Sequence, residues 1–155
     1  MGLDMYLYRR EYLSNYSFQE DGNEKQKFAA IVDAIGIEPA EDSPHIHVEV
    51  CVAYWRKANA IHKWFCNLDG GKDECQNIYV TREQLVGLRD IARSVLLDPA
   101  LASTRLPTQT GFFFGSYDYD EWYMEDMKNT VKQLDKILND VPEGTWVDFI
   151  YRASW

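Results

Sequence analysis

Residues 45–54, HIHVEVCVAY, set Ile46, Val48, Val50 and Val52 on one side of the chain and His45, His47, Glu49 and Cys51 on the other. A period of two is what a half-buried β-strand requires, because successive side chains of a strand point to opposite faces. A strand cannot bury its apolar face alone, so the rest of the sequence must supply cover. It does so with a different period. Residues 25–35, KQKFAAIVDAI, bring Phe28, Ile31, Val32 and Ile35 to helical spacing ahead of Gly36, a suitable stop. Thr81 with Gln84 three residues on reads as a capping box. It opens a helix that carries Leu85, Leu88, Ile91, Ala92 and Val95 inward and stops at Asp98-Pro99. The longest helix is predicted over 118–141, with Asp118 and Glu121 at its start and Tyr123, Met127, Val131, Leu134 and Leu138 as its inward stripe. Alternation also predicts strands near the start (Leu3, Met5 and Leu7 against Asp4, Tyr6 and Tyr8), at NIYV, and at the end (Val147, Phe149 and Tyr151 against Trp146, Asp148 and Ile150). The mixture implies an α+β fold. We expect a single domain over 1–155 with a small antiparallel or mixed sheet and three to four packed helices.

At 155 residues the chain can bury a core without covalent staples. No apolar run approaches the roughly 18 residues of a membrane span. The opening MGLDMYLYRREY is interrupted by Asp4 and lacks a basic-then-apolar layout, which predicts a cytoplasmic protein with no membrane partner. Cys51, Cys66 and Cys75 are odd in number and form no C-x-x-C pair, in keeping with reduced thiols. No histidine pair follows them at zinc-finger spacing, so neither a structural zinc nor a cofactor is expected. His45, His47 and Glu49 share one strand face, a weak metal pattern for which a solvated face is the plainer account. A formal charge of -9 argues against generic nucleic-acid binding, which draws its free energy from counterion release by cations. The same charge suits a protein that presents carboxylates to a basic partner.

Two segments are rich in chemistry. YWRKANAIHKWF, residues 54–65, is predicted as a helix with Tyr54, Ala58, Ile61 and Phe65 in the core and Trp64 at the margin. Beside them Trp55, Asn59, His62 and Cys66 form a second stripe, with Arg56, Lys57 and Lys63 nearby. Trp55 or Trp64 offers a stacking face, Asn59 an amide that can read a base edge, and Arg56 or Lys57 a cation for phosphate. The same Asn59 and His62 equally suit hydrogen bonding to a neighbouring strand or loop. In TQTGFFFGSYDYDEWY, residues 108–123, Gly111 and Gly115 flank Phe112, Phe113 and Phe114 and permit close backbone approach. This is no P-loop, since it lacks Gly-Lys-Ser/Thr. Ser116 stands ahead of a helix N-terminus that could attract an anion, whereas Asp118, Asp120 and Glu121 would repel one. A buried strand leading into a self-capped helix is the plainer account. No Ser elbow or Cys/His dyad is recognisable.

The blocks MGLDMYLY, AYWRKANAIHKWF, LPTQTGFFFGSYDYDEWY and the closing RASW resemble a family of short, largely uncharacterised proteins of tailed phages and prophages. The resemblance covers most of the chain outside roughly 15–43 and 68–78. It carries no activity. It does mark Arg56, Lys57, Asn59, His62, Trp64, Thr108, Gln109, Gly111 and Phe112, then Gly115, Asp120, Glu121 and Trp122, as family positions. A signature with so many polar members implies a site. The leading expectation is a phage accessory protein, of the host-takeover or counter-defence kind, that binds a nucleotide-like or phosphorylated small molecule without turnover. Its pocket would combine the 54–65 helix with segment 108–115, with Thr108 and Gln109 adding polar readout. The alternatives are an acidic inhibitor that mimics nucleic acid and blocks a host protein, and a small enzyme using His62 as acid–base. A homo-oligomer is left open.

Overall fold

A computed structural model describes residues 2–16, 23–111 and 113–155. The elements run β1 (Asp4–Ser14), α1 (Asn23–Ile35), β2 (His45–Arg56), α2 (Asn59–Leu68), β3 (Ile78–Val80), α3 (Arg82–Leu97), a 3-10 turn at Pro99–Leu101, α4 (Ala102–Arg105), α5 (Glu121–Asp140) and β4 (Asp148–Ser154). The strands form one antiparallel sheet in the order β2-β1-β4-β3, and the fold is α+β. Two compact units divide the chain, Met1–Arg9 with Cys51–Trp155, and Arg10–Val50.

In the larger unit the odd-numbered residues of β1, β2 and β4, with the even-numbered Ile78 and Val80 of β3, face the helices. Leu3, Met5 and Leu7 of the N-terminal segment, Ala53 and Trp55 of β2, and Phe149, Tyr151 and Ala153 of β4 are buried in one core with Ile61, Phe65, Leu85, Leu88, Met127 and Leu134. Full burial of each large apolar side chain contributes about 1.5–3 kcal/mol, which makes this cluster the main source of stability. The strand pair β3–β4 sets Ile78 opposite Tyr151 and Val80 opposite Phe149. Helix α3 packs on α5. It starts at the predicted capping box, with the Thr81 hydroxyl accepting from Gln84 N and the Gln84 side chain accepting from Thr81 N. Even-numbered residues of β1, β2 and β4 point to the opposite face, where Ile150 is nonetheless buried, the rings of Tyr6 and Tyr54 lie 5.4 Å apart and Arg152 sits over Tyr8 at 4.7 Å.

The smaller unit holds α1 and the adjoining ends of β1 and β2. Ser14 N donates to the Glu24 carboxylate and Asn15 N to the Pro44 carbonyl, which tie the helix start and the strand ends together. His45 stacks on Tyr12, and both His45 and His47 are exposed. Gly36 ends α1 with φ 67°, as anticipated. Only Phe28 of the predicted inward stripe is buried, while Ile35 is exposed on the last turn.

Three boundaries differ from the sequence reading. The helix predicted from Tyr54 begins at Asn59, because strand geometry continues through Arg56 and sends Trp55 inward and Tyr54 outward. Tyr54 is therefore not core. It donates its hydroxyl to Asp4, and its backbone N–H and C=O pair with the amide of Gln133 at 2.8 and 3.0 Å. That amide satisfies polar groups that an edge strand would leave open. Helix α5 is capped by Asp120 rather than Asp118, its carboxylate accepting from Tyr123 N at 3.0 Å. The described part of 108–116 is a loop, not a strand.

Candidate functional site

The site grows from the turn that joins β2 to α2. Lys57 takes φ 58°, a left-handed conformation, and Ala58 follows at φ -78°, ψ 69°. The latter is an inverse γ-turn, closed by Asn59 N donating to the Lys57 carbonyl at 2.9 Å. Two glycines press against Lys57. A Cβ on Gly2 would stand 3.2 Å from its Cε, and one on Gly115 would stand 3.2 Å from its Cβ and 3.3 Å from its carbonyl oxygen. Gly115 itself sits at φ 87°, where any other residue is strained.

Asn59 then fastens the loop over this turn. It is 4% exposed; its Nδ2 donates to the carbonyls of Phe114 (2.9 Å) and Ser116 (2.8 Å), and its Oδ1 accepts from Gln109 N at 3.1 Å. Thr108 Oγ1 donates to the Tyr117 carbonyl, and the Tyr117 hydroxyl donates to the Gly111 carbonyl. Gly111 is required by space, since a Cβ there would clash with the Phe114 ring.

The result is a groove of about 350 Å³ between the β2–α2 turn and the start of α5. Arg56, Lys57 and Thr108 line it together with Asp118, Asp120, Trp122 and Asp126. Lys57 makes no ion pair among the described residues, and Arg56 reaches Asp4 only at 4.0 Å. Trp122 is 78% exposed. Burial, reinforced by the nearby Asp120 and Glu125 charges, pushes the Asp126 carboxyl up to about 7.

Behind the groove lies a second constellation. His62 Nδ1 is 2.7 Å from the Tyr151 hydroxyl and Nε2 is 2.9 Å from Asp73 Oδ1. Asp73 also accepts from Trp155 Nε1 (3.0 Å) and Gln109 Nε2 (3.1 Å). Burial lowers the His62 pKa against the opposing pull of Asp73, so the ring is neutral. It then donates from Nε2 to Asp73 and accepts from Tyr151. Burial likewise raises the Tyr151 phenol and pushes the Cys66 thiol up to about 12. Neither is an activated nucleophile.

The structure thus sorts the expected site residues. Arg56, Lys57, Asn59 and Thr108 meet at the groove. Trp55 does not: at 1% exposure, with its Nε1 donating to Thr130 Oγ1 at 2.9 Å, it is a core residue that cannot stack on a ligand. Trp64 is half-buried, edge-on to Phe65. His62 and Gln109 belong to the Asp73 network, Gly111 shapes the loop, and Phe112 lies outside the described residues. Trp122 and Asp126 were not assigned to the site from sequence. Trp122 was nonetheless detectable as an aromatic standing off the inward stripe that starts at Tyr123. No family model, curated protein or solved structure matches the chain.

Proposed function

We propose that the protein is a phage accessory factor that binds a nucleotide-like or phosphorylated small molecule in this groove and holds it without turnover, as a host-takeover or counter-defence protein would to sequester a signal. The observation that carries the reading is a groove lined both by Lys57, which makes no ion pair among the described residues, and by the exposed indole of Trp122. Lys57 is clamped by its turn and by Gly115, and Trp122 stands in the same groove. Arg56 and Lys57 pair the phosphate, and Trp122 replaces Trp55 and Trp64 as the stacking face. Asp118 and Asp120 accept from exocyclic amino or sugar hydroxyl groups. Asp126, half-protonated near neutral pH, donates to a base acceptor.

Binding without turnover is favoured here over the alternative that uses His62 as acid–base. That residue does not line the groove, and both its nitrogens are engaged elsewhere. Titration calorimetry with nucleoside phosphates tests the reading. Arg56→Ala and Lys57→Ala are each expected to weaken binding about 10-fold or more, as loss of a charge-assisted hydrogen bond does. Equal affinity in the double variant would remove the proposal. A second reading rests on the acids Asp118, Asp120, Glu121, Glu125 and Asp126 within nine residues. It makes the protein an inhibitor of a basic host protein. Salt-sensitive capture that survives Lys57→Ala would favour it.

A further inference from the structure

His62 and Cys66 stand four residues apart on α2, so their side chains leave the same face one turn apart. Asp73 comes from the loop after α2, which is held by Gln76. Its amide accepts from Glu74 N at 2.8 Å and donates to Asp69 Oδ2 at 3.1 Å and the Lys72 carbonyl at 3.0 Å. One ligand-capable atom from each of His62, Cys66 and Asp73 lies within 4.8 Å of the others. We infer that these three side chains form a binding site for a divalent transition ion of the zinc class, separate from the groove and independent of its ligand.

The donor set selects the ion. One imidazole nitrogen, one sulfur and one carboxylate oxygen suit zinc or cobalt and exclude calcium and magnesium, which take oxygen ligands. The spacing agrees. Zn–S and Zn–N bonds of about 2.3 and 2.0–2.1 Å at a tetrahedral angle separate sulfur and nitrogen by about 3.6 Å. Cys66 Sγ lies 3.6 Å from His62 Nε2. The His62–Asp73 pair, at 2.9 Å, has to open only to about 3.3 Å for a shared ion.

An outer layer of hydrogen bonds is already in place. With Nε2 on the ion, His62 carries its proton on Nδ1 and donates it to the Tyr151 oxygen, 2.7 Å away. Gln109 Nε2 and Trp155 Nε1 hold the two oxygens of Asp73 from outside. An ion therefore displaces the contacts of His62 Nε2 with Asp73 and Cys66 and reverses the His62–Tyr151 hydrogen bond, whose hydroxyl turns its proton away, while the Gln109 and Trp155 contacts to Asp73 remain as orienting bonds. His62 and Cys66 are buried, and Asp73, with its side chain 21% exposed, provides the way in. The fourth position is left to water. The zinc-finger spacing sought in the sequence could not reveal this arrangement, because its third ligand comes from a loop without periodicity.

The test uses the full chain with Cys51→Ser and Cys75→Ser, so that Cys66 is its sole thiol, stripped with chelator under reducing conditions. Cobalt(II) alone is titrated in. The expected result is a sulfur-to-cobalt charge-transfer band that saturates at one equivalent and is displaced by zinc, with a rise in Tm on zinc addition. In the same background Asp73→Asn keeps the native circular dichroism and weakens cobalt binding more than about 10-fold; Gln109→Ala weakens it about 10-fold. A chain with native circular dichroism that shows neither the band nor the Tm rise overturns the site. So does a band of undiminished affinity in Asp73→Asn.

Discussion

Lys57 holds a backbone conformation that costs a non-glycine residue about 1–3 kcal/mol. A glycine would suit the turn better, yet the chain carries a long cation there, pressed between Gly2 and Gly115. If the cation serves binding, Lys57→Gly separates stability from function. It is expected to stabilise the fold by up to about 1 kcal/mol in urea unfolding while weakening phosphate-ligand affinity about 10-fold or more. Gly115→Ala is the converse, with strain and a clash at Lys57, and is expected to cost about 1–3 kcal/mol. Asn59→Ala leaves the Phe114 and Ser116 carbonyls and the Gln109 amide without their partner, and about 2–4 kcal/mol of stability should go with it. From sequence alone Asn59 reads as well as a ligand contact as it does as a loop fastener. Its three partners lie 50 to 57 residues away, and no local pattern announces them.

At the scale of elements, strands and helices with one clean period were legible: the capping box at Thr81, the Gly36 stop, and the alternation of β1; in β4 the strand was legible, but Phe149, Ile150 and Tyr151 are all buried, so burial there does not alternate. The β2–α2 junction was not. Apolar residues at 50, 52, 53, 54 and 55 obey neither period, and burial in β2 passes from the even positions Ile46 and Val48 to the odd positions Ala53 and Trp55. Only the tertiary core decides that Trp55 is inside. Helix α5 carries its own prediction through Asp126. Because the folded carboxyl titrates at about 7 against 3.8 for a free aspartate, the folded state binds the extra proton, and stability declines as pH rises from about 4 to about 7. Asp126→Asn should abolish that decline and gain on the order of 1–3 kcal/mol at pH 8, discounted for the group's partial exposure. Denaturant midpoints across the pH range check it.

For the whole molecule, the surplus of acids sets what the groove must overcome. A net charge of -9 repels anions at long range, so binding a phosphorylated ligand has to come from short-range pairing at Arg56 and Lys57. Added salt should then change affinity little, whereas capture of a basic protein should fade with salt. His62 makes one contribution to stability on the acid side. Its folded pKa lies below the free value of 6.5, so its contribution is complete above that pH and is lost as pH falls through the folded value. The α+β class was readable because two periods coexist in the chain; the groove was readable only as a list of residue types, since the 108–126 segment reaches it through loop hydrogen bonds. The most direct test of the binding claim is a titration of the isotopically labelled protein with nucleoside and sugar phosphates, followed by amide and indole NMR shifts. The account predicts saturable shifts centred on Arg56, Lys57, Ser116 and the Trp122 indole, abolished in Lys57→Ala. No shifts at millimolar ligand, or shifts confined to residues away from the groove, would contradict it.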